Sequence, residues 1–192
     1  MKTGALFMSK YLKRKIDQYL LDWKTNPNHK PLIIKGARQV GKTKSIKHFA
    51  EQNYESIVEI NFAEDPVYKQ IVENGYSAEA VIRNISRINP EARFAKGKTL
   101  IFFDEIQEFP DVATSLKFFS LDGNYDVICS GSLLGVHYKE ISNISVGYKT
   151  ETEMRSLDFE EFLWALGYDD SIKEDVLSHM KSFTPFSPVV LK

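Results

Sequence analysis

Gly36-Ala37-Arg38-Gln39-Val40-Gly41-Lys42-Thr43 decides how the rest of this chain is read. It fits G-x-x-x-x-G-K-[ST], and it sits where that pattern has physical meaning. The short apolar run Pro31–Ile34 comes before it and reads as a buried strand. Helical spacing comes after it, from Lys42 to Asn53 through Ile46, Phe49 and Ala50. A loop between strand and helix wraps backbone N–H groups around phosphate oxygens if its residues tolerate positive φ and close approach. The helix then presents its N-terminus to the anion. Lys42 supplies a point charge for the β- and γ-phosphates of a nucleotide, and Thr43 an oxygen for Mg2+. The expected ligand contacts are therefore Gly36, Ala37, Arg38, Gln39, Val40, Gly41, Lys42, Thr43 and Lys44.

Outward from this loop, strands and helices alternate. Ser56 to Phe62 is a second strand. Asp65-Pro66 reads as a helix start, with Asp65 as cap and Pro66 at the first helical position. Ala78–Ile88 is an amphipathic helix carried by Val81, Ile82, Ile85 and Ile88. Thr99-Leu100-Ile101-Phe102-Phe103 is a third strand. Pro110 opens a helix that buries Val112, Leu116 and Phe119, and Asp126–Ser130 is a fourth strand. Gly131 to Lys149 is less regular. Thr150–Arg155 is the candidate fifth strand. Asp158 caps a helix through Phe159, Phe162 and Leu166 that stops at Gly167, and Ser171–Lys181 is the last helix. The strands are mostly continuous apolar runs, the mark of a parallel sheet covered on both faces. Near the N-terminus, Tyr11, Leu12, Ile16, Tyr19, Leu20 and Trp23 share one helix face, and Lys13, Arg14 and Lys15 fall on a face expected to be solvated.

Two carboxylates complete the chemistry. Asp104 and Glu105 follow the apolar run Leu100–Phe103 at a strand end. In one sheet with a phosphate loop, Asp104 is placed to hold Mg2+ directly or through water, and Glu105 to act as general base on the water attacking a γ-phosphate. At the tip of the fourth strand, Ser130 in Val127-Ile128-Cys129-Ser130-Gly131-Ser132 is the candidate to reach that phosphate or that water. A hydroxyl that merely caps the strand-to-loop turn is the open alternative. No Asn-Lys-x-Asp element for reading guanine occurs, so ATP is favoured by elimination.

Composition narrows the class. The chain has 192 residues, 43% hydrophobic and 27% charged, with a formal net charge of −1, so nothing global demands nucleic acid or an anionic membrane. Its one cysteine, Cys129, makes no internal disulfide and reads as a core thiol. That fits a reducing cytoplasm. No stretch approaches the roughly 18–20 apolar residues of a membrane span. The expectation is a soluble, cytoplasmic protein without a membrane partner.

Gly36–Thr43, Asp104-Glu105-Ile106-Gln107, Ser130-Gly131-Ser132 and Leu157-Asp158-Phe159-Glu160-Glu161-Phe162-Leu163 together resemble a prokaryotic AAA-type P-loop ATPase family of unsettled function. The resemblance covers nearly the whole chain. It implies an α/β fold of the P-loop NTPase class, three layers α/β/α with a mostly parallel sheet and the additional-strand, AAA-like topology. The strand bearing Ser130 would lie between the strand leading into the loop and the strand bearing Asp104. It implies ATP and Mg2+, with Lys42 and Thr43 on phosphate and metal, Asp104 on the metal and Glu105 as base. Many relatives carry a Gly-Arg pair where this chain reads Gly147-Tyr148-Lys149, so no arginine is carried over to that position. Relatives continue for a further domain, and the ending Pro185–Lys192 reads as a cut.

The expected organisation is an N-terminal amphipathic helix packing on the core (1–30), an ATPase core (31–167) and the start of a truncated C-terminal helical region (168–192). The expected function is Mg-dependent ATP binding and hydrolysis coupled to conformational change. Its rivals are a non-hydrolysing nucleotide switch and a small-molecule P-loop kinase. Such kinases usually lack a glutamate after the metal aspartate and use an arginine-bearing lid, which is not evident here. Arg38, Arg83, Arg87, Arg93 and Arg155 are the candidates for a catalytic arginine. Besides ATP, a second copy of the chain, a nucleic acid and another protein all stay open as partners.

Overall fold

β1 (Leu32–Gly36) leads into the loop, and both of its neighbours in the sheet come from far along the chain. The computed structural model describes residues 11–132, 141, 144–169 and 171–184. β2 (Ser56–Asn61), β3 (Thr99–Asp104), β4 (Asp126–Ser132) and β5 (Thr150–Glu153) complete a five-stranded sheet in the order β2-β3-β4-β1-β5. All pairings are parallel. The strand bearing Ser130 thus lies between β1 and β3, as the resemblance implied.

The continuous apolar runs have two faces to fill. Leu32, Ile34, Leu100, Phe102 and Ile128 point to the layer of α1 (Lys15–Thr25) and α2 (Lys42–Asn53), where Ile16, Leu20, Trp23, Ile46 and Phe49 cover them. Ile33, Ile101, Phe103, Val127 and Cys129 point to α3 (Ala78–Ile88) and α4 (Ser115–Asp122), against Val81, Ile85, Leu116 and Phe119. Strand side chains alternate between faces, so an unbroken hydrophobic run is what a strand buried on both sides requires. This is the three-layer α/β/α arrangement.

Several sequence expectations change in detail. Tyr11 and Leu12 precede α1, which begins at Lys15, and Leu12 is exposed. The helix after Asp65 is a 3-10 helix, Pro66–Val72, and the Asp65 side chain makes no capping bond. The helix opened by Pro110 is 3-10 to Thr114 and α-helical only in α4. The fifth strand ends at Glu153.

At the N-terminal ends of the strands a polar cluster closes the sheet. Asp126 accepts from the Tyr54 hydroxyl at 2.6 Å and lies 2.6 Å from Nε2 of His29. Burial, reinforced by the Asp126 carboxylate, pushes the Tyr54 phenol far above its ordinary range.

The chain divides into two units. Ile16–Ser156 is one; the described parts of Met1–Lys15 and Leu157–Lys192 form the other. In the smaller unit, α5 (Phe159–Ala165) starts with a capping box: Asp158 accepts from the Glu161 N–H, and the Glu161 carboxylate accepts from the Asp158 N–H. Glu161 also accepts from the Lys15 N–H at 2.7 Å and pairs with Arg14 at 3.1 Å. Lys15 pairs with Asp158 and Glu160, and Lys13 lies over the Trp164 ring. Arg14 of this basic cluster is therefore buried, while Lys13 and Lys15 stay exposed as expected and pair at the surface. Phe159, Phe162 and Leu166 are exposed, as are Leu177 and Met180 of α6 (Ser171–Ser182) and Phe183. No helix among the described residues is long and apolar enough to cross a membrane.

Candidate functional site

The parallel sheet brings the C-terminal ends of β1, β3 and β4 to one edge, where ligands of open α/β folds bind. Register sets the details. Gly36 pairs with Ser132 and Phe103 with Cys129, so Asp104, one residue past Phe103, reaches the level of Ser130.

The phosphate loop turns on two residues in the left-handed region, Gln39 (φ 63°) and Gly41 (φ 99°). Glycine makes the second inexpensive. Gly41 is also the N-cap of α2 and carries no side-chain oxygen, so no side chain caps the first turn of that helix. An anion in the loop would fill that role. Val40 turns inward to the core, and Ala37, Arg38, Gln39 and Lys44 are exposed. Gly36 is dictated by a different neighbour: a Cβ there would lie 2.1 Å from the Met154 carbonyl oxygen, just past β5.

Lys42 is buried, and its ammonium donates to the carbonyls of Gly36 (3.0 Å) and Ala37 (2.8 Å). Burial pulls it below its ordinary value, and the Glu105 and Asp104 carboxylates oppose that pull. Thr43 donates its hydroxyl to one oxygen of Asp104 at 2.9 Å. The Ser130 hydroxyl donates to the other. Asp104 is buried with both oxygens so engaged, and its Oδ1 also accepts from the Glu105 N–H at 3.0 Å. Lys42, Thr43, Asp104, Glu105 and Ser130 are thus brought together. Ser130 touches a carboxylate, a placement the sequence did not suggest.

A hydroxyl and a carboxylate in contact beside an uncapped helix start are hard oxygen donors next to an anion cradle. That donor set suits Mg2+ with a polyphosphate.

Three positions of the site were missed in the sequence: Gln107, Gly131 and the Met154 carbonyl. Gln107 donates its amide N–H to Glu105 and accepts the Ser132 N–H at 3.0 Å. Gly131 admits this contact, since a Cβ there would lie 3.2 Å from Gln107 Oε1 and from Ile106. Their position inside the strings Asp104–Gln107 and Ser130–Ser132 was the available signal. The Met154 carbonyl had none, because it is a backbone group.

The Gly147-Tyr148-Lys149 segment enters β5 at the other end of the sheet: Thr150 pairs with Leu32, the first residue of β1. Lys149 donates to the Ile141 carbonyl and to Glu151, both at 2.7 Å. The other candidate arginines hold local partners: Arg83 with Glu79, Arg87 with Asn84, Arg93 with the Pro90 carbonyl and Arg155 with Glu153. Arg38 stands in the loop itself.

Comparison with known proteins bears on the fold and the family. A search of curated protein sequences found no significant match. Among solved structures, Drosophila ORC bound to DNA superimposes with a TM-score of 0.50 at 15% identity, over 85% of this chain and 48% of that one. C. elegans PCH-2 gives a TM-score of 0.46 at 13% identity, over 91% of this chain and 48% of that one. The chain therefore spans about half the length of each of these solved chains. The likeness to the ORC structure concerns the fold, an α/β sheet of the P-loop NTPase class. Residues 28–163 match the family model described as an AAA domain. With its loop, its paired acids and its strand order already in place, the chain belongs to the AAA domain family, whose members are built on a nucleotide-binding module.

Proposed function

We propose that this chain is an ATPase core: it binds Mg·ATP in the loop Gly36–Lys44 and hydrolyses the γ-phosphate, converting the reaction into conformational change. The observation that carries the reading is the Thr43–Asp104–Ser130 chain of contacts beside the phosphate loop, with Glu105 next in sequence.

The division of labour follows from position. Lys42 neutralises phosphate charge. Thr43 and Asp104 are the residues that would hold Mg2+, which supplies charge neutralisation to the phosphates when bound. Ser130 orients the Asp104 carboxylate. Glu105 takes a proton from water as that water's oxygen bonds to the γ-phosphorus, and the bond from that phosphorus to the bridging oxygen breaks, leaving ADP and phosphate.

Glu105→Gln is expected to keep nucleotide affinity and slow turnover by on the order of 100-fold, the scale of a lost general base. Asp104→Asn is expected to blunt the Mg2+ dependence of binding instead. Nucleotide titration together with single-turnover phosphate release separates the two. Equal loss of binding in both, with an unchanged rate per bound nucleotide, would show the assignment to be wrong. One observation favours a second reading, a switch that binds without hydrolysing: the Glu105 carboxylate is engaged by the Gln107 amide. A wild-type chain that binds Mg·ATP but releases no phosphate would select it.

A further inference from the structure

Glu105 does not stand alone at the end of β3. Its backbone is in the left-handed region, at φ 54°. A non-glycine residue persists there only when its surroundings hold it. What holds the side chain is Gln107, on the 3-10 turn Ile106–Glu108. One end of this amide donates to the Glu105 carboxylate, and the other accepts the N–H of Ser132, the last residue of β4. Gly131 beneath it leaves the room.

The tip of β4 therefore touches both acids. Ser130 reaches Asp104 directly, and Ser132 reaches Glu105 through the Gln107 amide. An amide is suited to this link because it donates at one end and accepts at the other. A bond to a charged acceptor is also among the stronger ones.

We propose that Gln107 is a positioning residue: it fixes the rotamer of Glu105 and ties it to the β4 tip, so that movement of that tip sets where the base stands. The inference rests on the hydrolytic reading above and adds a residue to it. The hydrogen bonds of Gln107 run to Glu105 and Ser132, neither of them in the phosphate loop or the metal-binding pair, so it acts on rate through Glu105 and not on nucleotide affinity.

Three variants of the full chain test it: Gln107→Leu, which removes both bonds, Gln107→Glu, which keeps an acceptor for Ser132 but removes the donor to Glu105, and the double variant Gln107→Leu with Glu105→Gln. Each is measured for Mg·ATP affinity with a fluorescent nucleotide, for single-turnover phosphate release and for melting temperature. Gln107→Leu and Gln107→Glu are expected to keep affinity and melting temperature and to slow release by on the order of tenfold, the scale of a lost bond to a charged group. In the Glu105→Gln background, Gln107→Leu is expected to cost nothing further, because its only route of action is already gone. A Gln107→Leu chain that matches wild type overturns the proposal. So does a variant that loses affinity or stability in step with rate, or a Gln107→Leu substitution that slows release by the same factor with and without Glu105. If Glu105→Gln itself leaves the rate unchanged, the general-base reading falls as well. If Glu105→Gln slows the rate and Gln107→Leu does not, only the role of Gln107 falls.

Discussion

At Gly36 there is room for a hydrogen atom and nothing more. Gly36→Ala drives a Cβ to 2.1 Å from the Met154 carbonyl, and backbone cannot swing aside as a flexible side chain would. Overpacking of this kind costs about 1–3 kcal/mol, so a lowered melting temperature is expected before any effect on nucleotide is considered. Lys42→Ala acts in the opposite way. Its ammonium holds two carbonyls of its own loop and no core group, so the fold is expected to survive. Nucleotide affinity is expected to fall by about 2 kcal/mol or more, the worth of a charge-assisted bond to phosphate, as isothermal titration would show. Cys129 lies wholly inside β4, and burial pushes its thiol far above the ordinary range. It is expected to stay unreactive toward a thiol reagent until denaturant is added. At this scale the sequence was legible wherever a side chain bears charge beside a strand end, as with Lys42, Asp104 and Glu105. It was not legible where the partner is backbone, as at Gly36, or where an amide bridges two distant segments, as at Gln107.

Elements were read well where one force dominates. α2 and α3 begin and end at the residues expected from their spacing, while β3 and β4 begin where expected but run past Phe103 and Ser130 to Asp104 and Ser132. Short-range geometry did less well. Pro66 and Pro110 start helices as expected, but both continue as 3-10 turns, a tightening that apolar spacing does not encode. Within the basic cluster at Lys13–Lys15, the burial of Arg14 was missed because its partner, Glu161, lies near the other end of the chain. Asp158 is the test case among the caps. The Glu161 N–H, and after it the Lys15 ammonium, hold its carboxyl below the usual range. A group depressed on folding contributes stability above its ordinary value of about 4 and loses it as pH falls through the lower folded value. The N-terminal turn of α5 is thus expected to lose amide protection on acidification below about pH 4. Asp158→Ala is expected to remove that protection at neutral pH too, at a cost of about 1 kcal/mol, measured by hydrogen exchange at Glu161.

For the molecule as a whole, binding and rate are expected to part company. The loop and both acids are assembled, so Mg·ATP is expected to raise the melting temperature in step with its concentration. Turnover is another matter: the Gly-Arg pair of the resembling family is replaced, and Lys149 faces Ile141 and Glu151 at the far end of β5. A transition-state arginine is worth roughly 10³–10⁵ in rate. A dilute monomer is therefore expected to hydrolyse ATP more slowly than roughly 1 s⁻¹, the low end of ordinary enzymes. A faster monomer would show that no arginine from another copy or partner is needed. The strand order carries one more consequence, for the chain as it is made. β1 holds the phosphate loop, yet it pairs only with β4 and β5, which begin at Asp126 and Thr150. Long-range parallel pairing forms late and slowly, and synthesis proceeds from the N-terminus. The loop thus leaves the ribosome before β4 and β5 and is held in shape only once they have followed. A nascent chain stalled before β4 would have no nucleotide pocket to fill, so nucleotide is expected to give no help to early folding and to capture only chains in which β1 has gained both neighbours.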